Sequence, residues 1–400
     1  MPLGLADDVS LRMYRDKQFA YDRRNHELYE LDSASFSLLQ ELRDLSLEEL
    51  RQEQITFLNE CLDVRILSLT DTTSRVFQNI EFAIDDAPLY LLLHITERCN
   101  LTCGHCYLGP KSKTELTIAQ IGRVIEEFQG LAGLTVLISG GEPLLHPDFW
   151  VINDLVDNSK LRFELLTNGT LIDGMSANRL RFHEVQISID GWRSSHDALR
   201  GIGSFDRSMA AIESLLDVGH HVSIATMITR HNTNDIEEFH KLETFCFSHG
   251  ITNWSVNAPC EKGDWVDNKE AAVAEAAKTV AIVARFGYGE GQHDLGLKHA
   301  CGGNLCTVMA DGSVVGCVLS TVNPFGSLED GLAKSWHKRT PFLLKDTECA
   351  TCEHLTLCRG GCRISALETT GSLQGKDLVQ CSAIMYYYET IKARKGGGDL

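Results

Sequence analysis

The sequence predicts an α/β protein whose centre is an open, partial (β/α)6 barrel. Between Leu89 and Val256, short apolar runs alternate with longer segments whose apolar residues recur at helical spacing. This alternation predicts parallel strands joined by right-handed helical crossovers. Six such units are too few to close an eight-stranded barrel, so we expect the sheet to remain open. A small α+β unit precedes the barrel and a cysteine-rich segment follows it.

The N-terminal residues 9–70 predict a separate small unit. Short alternating apolar stretches indicate three strands. Two helices follow, one over 33–43 and a second opened by the capping box Ser-Leu-Glu-Glu at 46–49. Residues 71–87 have linker composition at both ends. Because this unit contains no catalytic cluster, binding is its natural use.

The barrel elements follow in order along the chain. Predicted strands cover 89–95, 134–139, 162–167, 184–189, 222–228 and 252–256. Predicted helices begin at Thr117, Asp148, Ser204 and Asn234, and a further helix covers 269–285 before a glycine-rich joint at 287–291. Function in such sheets lies at the C-terminal ends of the strands, so the segments after each strand are the candidate site.

Composition and charge exclude several classes of protein. The formal net charge of −18 argues against a nucleic-acid binder, which needs a basic face, and favours small molecules or a partner with basic stretches. The N-terminus has no secretory signal and no segment is long and apolar enough for a membrane span, so we expect a cytoplasmic protein. Fourteen cysteines in a reducing compartment indicate metal binding rather than disulfides.

Three of these cysteines lie on one short loop directly after the first barrel strand. Cys99, Cys103 and Cys106 form a C-x3-C-x2-C pattern followed by Tyr107. Three thiolates suit an iron–sulfur cube and leave one iron open to a small molecule. The alternative is zinc, which needs four ligands in a closed site and here finds only His105 nearby.

This loop resembles the signature of the radical S-adenosylmethionine (SAM) enzymes. The resemblance implies an oxidoreductase that cleaves SAM at a 4Fe-4S cluster on the three cysteines. It also assigns the SAM contacts, with the Gly-Gly-Glu-Pro turn at the amino group, polar side chains at the ribose or carboxylate, and an aromatic ring at the adenine. Those residues are Gly140, Gly141, Glu142, Pro143, Asn168, Ser188, Arg200 and Tyr107. Asp190 is a candidate ligand or a structural turn cap. No residue stands out as a catalytic base.

Eight further cysteines lie between Cys301 and Cys381. Two ligand-spaced sets at once are a strong metal signal, with two zinc sites as the alternative. The spacing resembles the SPASM extension of radical SAM proteins, which carries two auxiliary 4Fe-4S clusters. In that pattern one cluster is held by Cys301, Cys306, Cys317 and Cys362, and the other by Cys349, Cys352, Cys358 and Cys381. Of the remaining cysteines, Cys61 and Cys246 are expected in the core, and Cys260 on the active-site face.

The N-terminal unit resembles, in pattern only, the PqqD-like winged-helix domain that holds the leader segment of a precursor peptide. The alternative is an extension that simply caps the barrel. We expect four parts: a peptide-recognition domain at 1–75, a linker at 76–88, the barrel at 89–285 and the SPASM domain at 286–400. If the first part only holds a leader, deleting residues 1–75 weakens peptide binding and leaves the barrel chemistry intact.

The resemblance predicts maturation of a ribosomally made precursor peptide, with formation of a crosslink or another modification. Flavodoxin or ferredoxin is the expected type of electron donor, and the auxiliary clusters could accept an electron from the product. A second enzymatic hypothesis keeps the barrel and changes the substrate to a tetrapyrrole or another small molecule. A third hypothesis is an iron–sulfur electron carrier or redox sensor, which has no use for an open iron and a ligand pocket.

Overall fold

The fold is described from a computed structural model. It covers residues 3–14, 17–42, 50–69, 81–83, 87–258, 276–286, 300, 304–319 and 324–387. The predicted capping box at 46–49, the glycine-rich joint at 287–291, Cys260 and Cys301 lie outside these residues. No helix in the described residues is both long and apolar enough to cross a membrane.

The N-terminal part contains more strands than predicted. Its elements are β1 (Leu3–Leu5), β2 (Val9–Tyr14), β3 (Lys17–Asp22), β4 (Glu27–Leu31), α1 (Ser33–Glu41), α2 (Gln52–Asp63), β5 (Leu67–Leu69) and β6 (Glu81–Ala83). The predicted three strands are β2 to β4, an antiparallel meander that β6 extends to four strands in the order β4-β3-β2-β6. The additional strands β1 and β5 pair with each other. They were missed because each has only three residues, too few to show a period.

The central part has the predicted strand–helix alternation. Its strands are β7 (Tyr90–His94), β8 (Thr135–Ser139), β9 (Arg162–Thr167), β10 (Glu184–Ser188), β11 (His221–Met227) and β12 (Trp254–Asn257). Its helices are α3 (Ile118–Gly130), α4 (Phe149–Leu155), α5 (Gly174–Arg179), α6 (Arg193–Arg200), α7 (Ser204–Asp217), α8 (Arg230–Thr233), α9 (Glu237–Ser248) and α10 (Ala276–Phe286). The short helices α5, α6 and α8 were not predicted.

The six strands β7 to β12 are parallel and neighbour one another in chain order. This confirms the predicted partial barrel. Alternate strand residues, such as Leu91, Ile138 and Leu165, are buried in one large apolar cluster with the stripes of the surrounding helices. The register therefore sends the intervening residues, His94 and Ser139 among them, to the inner side of the sheet.

The C-terminal part continues the barrel sheet, which was not predicted. Its elements are β13 (Leu305–Val308), β14 (Ser313–Val315), β15 (Gly326–Ser327), α11 (Leu332–Lys338), α12 (Leu355–Cys358), α13 (Arg363–Thr370) and α14 (Leu378–Tyr386). Strand β13 pairs in parallel with β7, and β14 and β15 follow in antiparallel fashion. The cysteine-rich segment thus begins at the edge of the barrel.

The N-terminal part closes the barrel at the end where its strands begin. Tyr14, Phe19 and Tyr21 pack with Leu89, Tyr90 and Leu134 in a shared apolar cluster. At the same end, Arg162 is 2% exposed and donates to the carbonyl oxygens of Arg23 (2.9 Å) and Arg24 (2.7 Å), in the turn between β3 and β4. The N-terminal part therefore does cap the barrel, on the side opposite to the predicted site.

Candidate functional site

The loop with three cysteines leaves β7 at the C-terminal end of the barrel. The main chain fixes it from both sides, because Gly104 N donates to Leu199 O of α6 (3.0 Å) and Cys106 N donates to Cys103 O (3.2 Å). The thiols of Cys99, Cys103 and Cys106 are half-buried. Burial raises the pKa of Cys103 to about 11, although the nearby Arg200 acts in the opposite direction. A bound metal would lower the pKa of these thiols again, since cysteines bind metals as thiolates.

The glycine turn after β8 packs directly against the start of this loop. A Cβ on Gly141 would lie 2.3 Å from the Arg98 carbonyl oxygen, and one on Gly140 would lie 2.5 Å from the Thr96 carbonyl oxygen. The main chain instead makes two hydrogen bonds of 2.7 Å, from Gly141 N to Thr96 O and from Glu142 N to Arg98 O. Only glycine permits this approach, which holds the turn beside the three cysteines.

Glu142 is fully buried and already accepts hydrogen bonds. Its Oε1 accepts from Thr167 Oγ1 (2.7 Å) and Leu144 N (3.3 Å), and its Oε2 accepts from Asn168 N (2.9 Å). Burial raises the pKa of Glu142 against the effect of these donors. An ionised carboxylate has about four acceptor positions, so this one keeps capacity for one more donor such as an amine. Pro143 begins the short 3-10 helix that follows.

Asn168 links the third strand to the cysteine loop. Its Nδ2 donates to Asn100 Oδ1 (3.0 Å), while its Oδ1 accepts from the main chain and the hydroxyl of Thr170. The predicted contact of Asn168 with the ribose would therefore compete with its hydrogen bond to Asn100. Neither Thr167 nor Asn100 was identified from the sequence. Their positions, one directly before Asn168 and one directly after Cys99, are the signal that could have found them.

A buried ion pair lies behind the loop. Asp190 is fully buried and accepts from Arg200 Nε (2.5 Å) and from Met227 N (2.7 Å). Burial opposes ionisation of this carboxyl, but Arg200 and His105 outweigh it and lower the pKa of Asp190 to about 2. Arg200 Nη2 also contacts His105 Nε2 at 3.4 Å. Asp190 is thus the counter-ion of the predicted SAM-binding arginine, a role beyond that of a turn cap.

Two predicted contact residues remain. The ring of Tyr107 is edge-on to His94, with ring centroids 6.2 Å apart, and burial raises the pKa of its hydroxyl. Ser139 and Cys317 also influence the pKa of this hydroxyl. Cys317, which belongs to the cysteine-rich part, therefore lies close to the barrel site. Ser188 is the last residue of β10 and is half-buried. Both therefore lie at the predicted end of the sheet.

Four of the C-terminal cysteines surround one cavity. It has a volume of about 570 Å³, and its lining includes Cys349, Cys352, Cys358 and Cys381. These four are the set that the SPASM resemblance assigned to one auxiliary cluster. Each main-chain segment is held by local hydrogen bonds, such as Cys352 N to Cys349 O (3.0 Å). The donor set and the space fit a 4Fe-4S cluster.

The other predicted auxiliary set is only partly described, because Cys301 lies outside the described residues. Cys306 is in β13 and fully buried in the large apolar cluster, where burial raises its pKa. Cys317 follows β14, and its sulfur accepts from Leu319 N (3.4 Å). Cys362 N donates to Asp377 Oδ2 (2.8 Å). Burial in the core was not foreseen for Cys306.

No group of three or more His, Cys, Asp or Glu side chains among the described residues converges on a position for a single metal ion. A four-iron cluster takes one cysteine per iron, so its ligands surround a volume rather than a point. The three thiols of the barrel loop and the four cysteines around the cavity are the ligand sets that two such clusters would use.

A parallel partial barrel with three cysteines after its first strand defines a class of proteins. Residues 93–242 match the family model described as the Radical SAM superfamily. The chain therefore contains a radical SAM domain over these residues, and it is an enzyme whose cofactors are SAM and iron–sulfur clusters of the 4Fe-4S type.

Known relatives align with most of the chain. It is 29% identical over 341 residues to the mycofactocin maturase MftC of Mycobacterium tuberculosis (strain CDC 1551 / Oshkosh), covering 77% of this chain and 86% of that protein. It is 28% identical over 349 residues to the pre-heme d1 synthase of Dinoroseobacter shibae, covering 72% and 84%. Among solved structures, it is similar to SuiB of Streptococcus suis bound to its precursor peptide SuiA. The TM-score is 0.63 at 17% identity, with coverage of 94% of this chain and 99% of that one.

Proposed function

We propose that this radical SAM enzyme modifies a ribosomally made precursor peptide, by forming a crosslink or another modification. The proposal rests on one observation: the chain combines a radical SAM barrel with an N-terminal α+β part whose sheet has an edge strand. Within the described residues, β4 (Glu27–Leu31) pairs only with β3, so one edge of the sheet is available for another strand. The similarity to the mycofactocin maturase supports a peptide substrate.

The leader of the precursor would add to the β4 edge as a further strand. An edge strand offers unpaired N–H and C=O groups, which a peptide can use without a specific side-chain code. Tyr29 and Leu31 pack against the small N-terminal core, which gives the strand a firm backing. The net charge of −18 favours a peptide with basic residues. The domain boundaries 1–75, 76–88, 89–285 and 286–400 are part of this proposal.

Residue roles in the barrel follow from the site. Cys99, Cys103 and Cys106 would hold the SAM-binding cluster, and the turn Gly140–Pro143 would hold the amino group of SAM. Asn168, Ser188 and Arg200 would contact ribose or carboxylate, and Tyr107 the adenine. When bound, SAM and the cluster supply a 5′-deoxyadenosyl radical that abstracts hydrogen from the substrate. The surrounding side chains position the substrate and exclude water.

The cysteine-rich part would hold two auxiliary 4Fe-4S clusters. One would be on Cys301, Cys306, Cys317 and Cys362, and the other on Cys349, Cys352, Cys358 and Cys381. Four protein ligands per cluster leave no open iron, so their role would be electron transfer and support of the fold. Flavodoxin or ferredoxin would supply electrons. The many free cysteines favour the reducing cytoplasm as the location.

The experiment is anaerobic SAM cleavage by the reconstituted protein. A peptide encoded beside the gene should increase 5′-deoxyadenosine formation and gain a modification detectable by mass spectrometry. An iron porphyrin serves as the matched alternative substrate, because relatives include the pre-heme d1 synthase. Turnover of the porphyrin without turnover of the peptide would replace this proposal by tetrapyrrole chemistry.

The leader site can be tested without altering the protein. Synthetic leaders with N-methyl groups at alternate residues lose the N–H donors on one edge of an added strand. Two such peptides are compared, one methylated at the odd-numbered residues and one at the even-numbered residues. Only one of them should lose binding, since successive N–H groups of a strand point to opposite sides. Equal affinity of the two peptides would exclude strand addition.

A further inference from the structure

His105 lies within the cysteine loop, between Cys103 and Cys106, and its ring is sequestered from solvent. The side chain is 9% exposed. Its Nε2 lies 3.4 Å from Arg200 Nη2. An arginine guanidinium has donors and no acceptor, so Nε2 must be the acceptor in this contact.

The buried ion pair fixes this arrangement. Arg200 Nε donates to Asp190 Oδ2 over 2.5 Å, which holds the guanidinium plane. His105 Nε2 is also 3.5 Å from the same Oδ2. A proton on Nε2 would face an N–H of Arg200, which is the nearer of its two contacts at 3.4 Å against 3.5 Å. The neutral ring therefore carries its proton on Nδ1.

That Nδ1–H has no hydrogen-bond partner among the described residues. A buried donor without an acceptor costs about 1–3 kcal/mol, so the site is incomplete as it stands. Nδ1 is the ring nitrogen nearest the main chain of the loop. The nearest side chains before and after His105 along the loop are the thiols of Cys103 and Cys106, which the proposed function assigns to the cluster. We therefore expect the acceptor for Nδ1–H to be a sulfur atom.

We propose that His105 donates its Nδ1–H to a sulfur of the cluster held by Cys99, Cys103 and Cys106, and that this hydrogen bond raises the reduction potential of the cluster. Hydrogen bonds to sulfur stabilise the more negative, reduced form of a cluster. Asp190 and Arg200 act as positioning residues that set the tautomer of the ring. The inference depends on the proposed function only in placing a cluster on these three cysteines.

The test is a redox titration of the reconstituted full chain, followed by electron paramagnetic resonance and carried out without SAM. The signal of this cluster is recognised because it changes when SAM is added afterwards. His105→Phe should lower the midpoint potential by about 59 mV, which corresponds to a tenfold change in a one-electron equilibrium. His105→Asn should retain the wild-type potential, because its amide N–H lies close to the position of Nδ1. His231→Phe is the matched control, since His231 is exposed.

A SAM-responsive signal with unchanged potential in His105→Phe would overturn this inference and leave the proposed function intact. An equal shift in His105→Asn would also overturn it, because a loss common to both variants reports loop structure rather than the donor. A wild-type preparation with no SAM-responsive signal would overturn the proposed function together with the inference. Should His105→Phe fail to assemble, pulsed resonance on wild-type protein with ¹⁵N-labelled histidine decides, since the absence of a histidine coupling to the reduced cluster refutes the hydrogen bond.

Discussion

The guanidinium of Arg162, at the first position of β9, donates to the carbonyl oxygen of Arg24 over 2.7 Å. The same side chain contacts Glu164 (2.8 Å) and Glu184 (2.6 Å), two residues on the inner side of the barrel sheet. One buried cation thus connects two barrel strands with the turn between β3 and β4. The N-terminal part is consequently a structural component of the barrel, in addition to any peptide that it binds.

Replacing Arg162 should destabilise the whole chain. Arg162→Met leaves Glu164 and Glu184 without their cation and two carbonyl groups without a donor. Removing one partner of a buried ion pair costs about 3–5 kcal/mol, which denaturant unfolding would detect. Arg181→Met is the control, because the ion pair of Arg181 with Asp157 is exposed and should contribute less than about 1 kcal/mol. Equal losses in the two variants would contradict the role of the buried network.

Removal of residues 1–75 should affect the barrel as well as peptide binding. The truncation would expose Tyr90 and Leu134, which are each 3% exposed in the full chain, together with Arg162. We expect a lower melting temperature and lower cluster content, which iron analysis and thermal unfolding would measure. The expectation from sequence, that this deletion leaves the barrel chemistry intact, does not fit the observed packing. A truncated chain with full iron content and unchanged melting temperature would restore it.

The glycine turn offers a sharp test of the SAM site. Gly141→Ala places a Cβ 2.3 Å from the Arg98 carbonyl oxygen, so the turn must move away from the cysteine loop. We expect at least a tenfold loss of SAM affinity, measured by equilibrium dialysis of the reconstituted protein. Gly122→Ala in α3 is the matched control, since no atom lies within 4 Å of its Cβ. The control should keep its SAM affinity and gain about 0.5–1 kcal/mol of stability.

The local patterns of the sequence predicted the barrel well because each pattern acts within one element. Strand β9 was predicted with its observed bounds, and the helix predicted to start at Ser204 is observed from that residue. The cysteine spacing and the turn at Gly140 were also local, and the four cysteines of one predicted set do surround a common cavity.

Features that join distant segments could not be predicted. The pairing of β13 with β7 joins segments about two hundred residues apart, and neither run of residues specifies its partner. The contact of Arg162 with Arg24 and the enclosure of Arg200 by Asp190 likewise depend on tertiary placement. The bounds of the helix predicted from Asn234 were wrong at its start, since α9 begins at Glu237 after the separate helix α8.

Acid should destabilise the chain through His94. Burial lowers the pKa of His94 from 6.5 to about 4, and it outweighs the opposite effect of the Gly140 main chain. Between these two values the unfolded state binds the proton and the folded state does not. The stabilisation is therefore complete above about pH 6.5 and is lost as the pH falls towards 4, by roughly 3 kcal/mol.

The measurement is denaturant unfolding of His94→Phe from pH 7 to pH 4. This variant should lose less stability than wild type over that range, because it has no imidazole to protonate. His337→Phe, on the last turn of α11, is the control and should follow wild type. Parallel pH curves for wild type and His94→Phe would show that the buried ring is not a source of acid sensitivity.

Two cysteine variants should separate the proposed clusters by their effects. Cys103→Ala removes a ligand from the barrel loop and should abolish SAM cleavage, because SAM would lose its only binding iron. Cys352→Ala removes a ligand from the 570 Å³ cavity and should lower the iron content while some uncoupled cleavage of SAM persists. Anaerobic iron analysis and chromatography of 5′-deoxyadenosine measure both. Cleavage retained by Cys103→Ala would refute the barrel assignment, whereas unchanged iron in Cys352→Ala would show that the cavity holds no cluster.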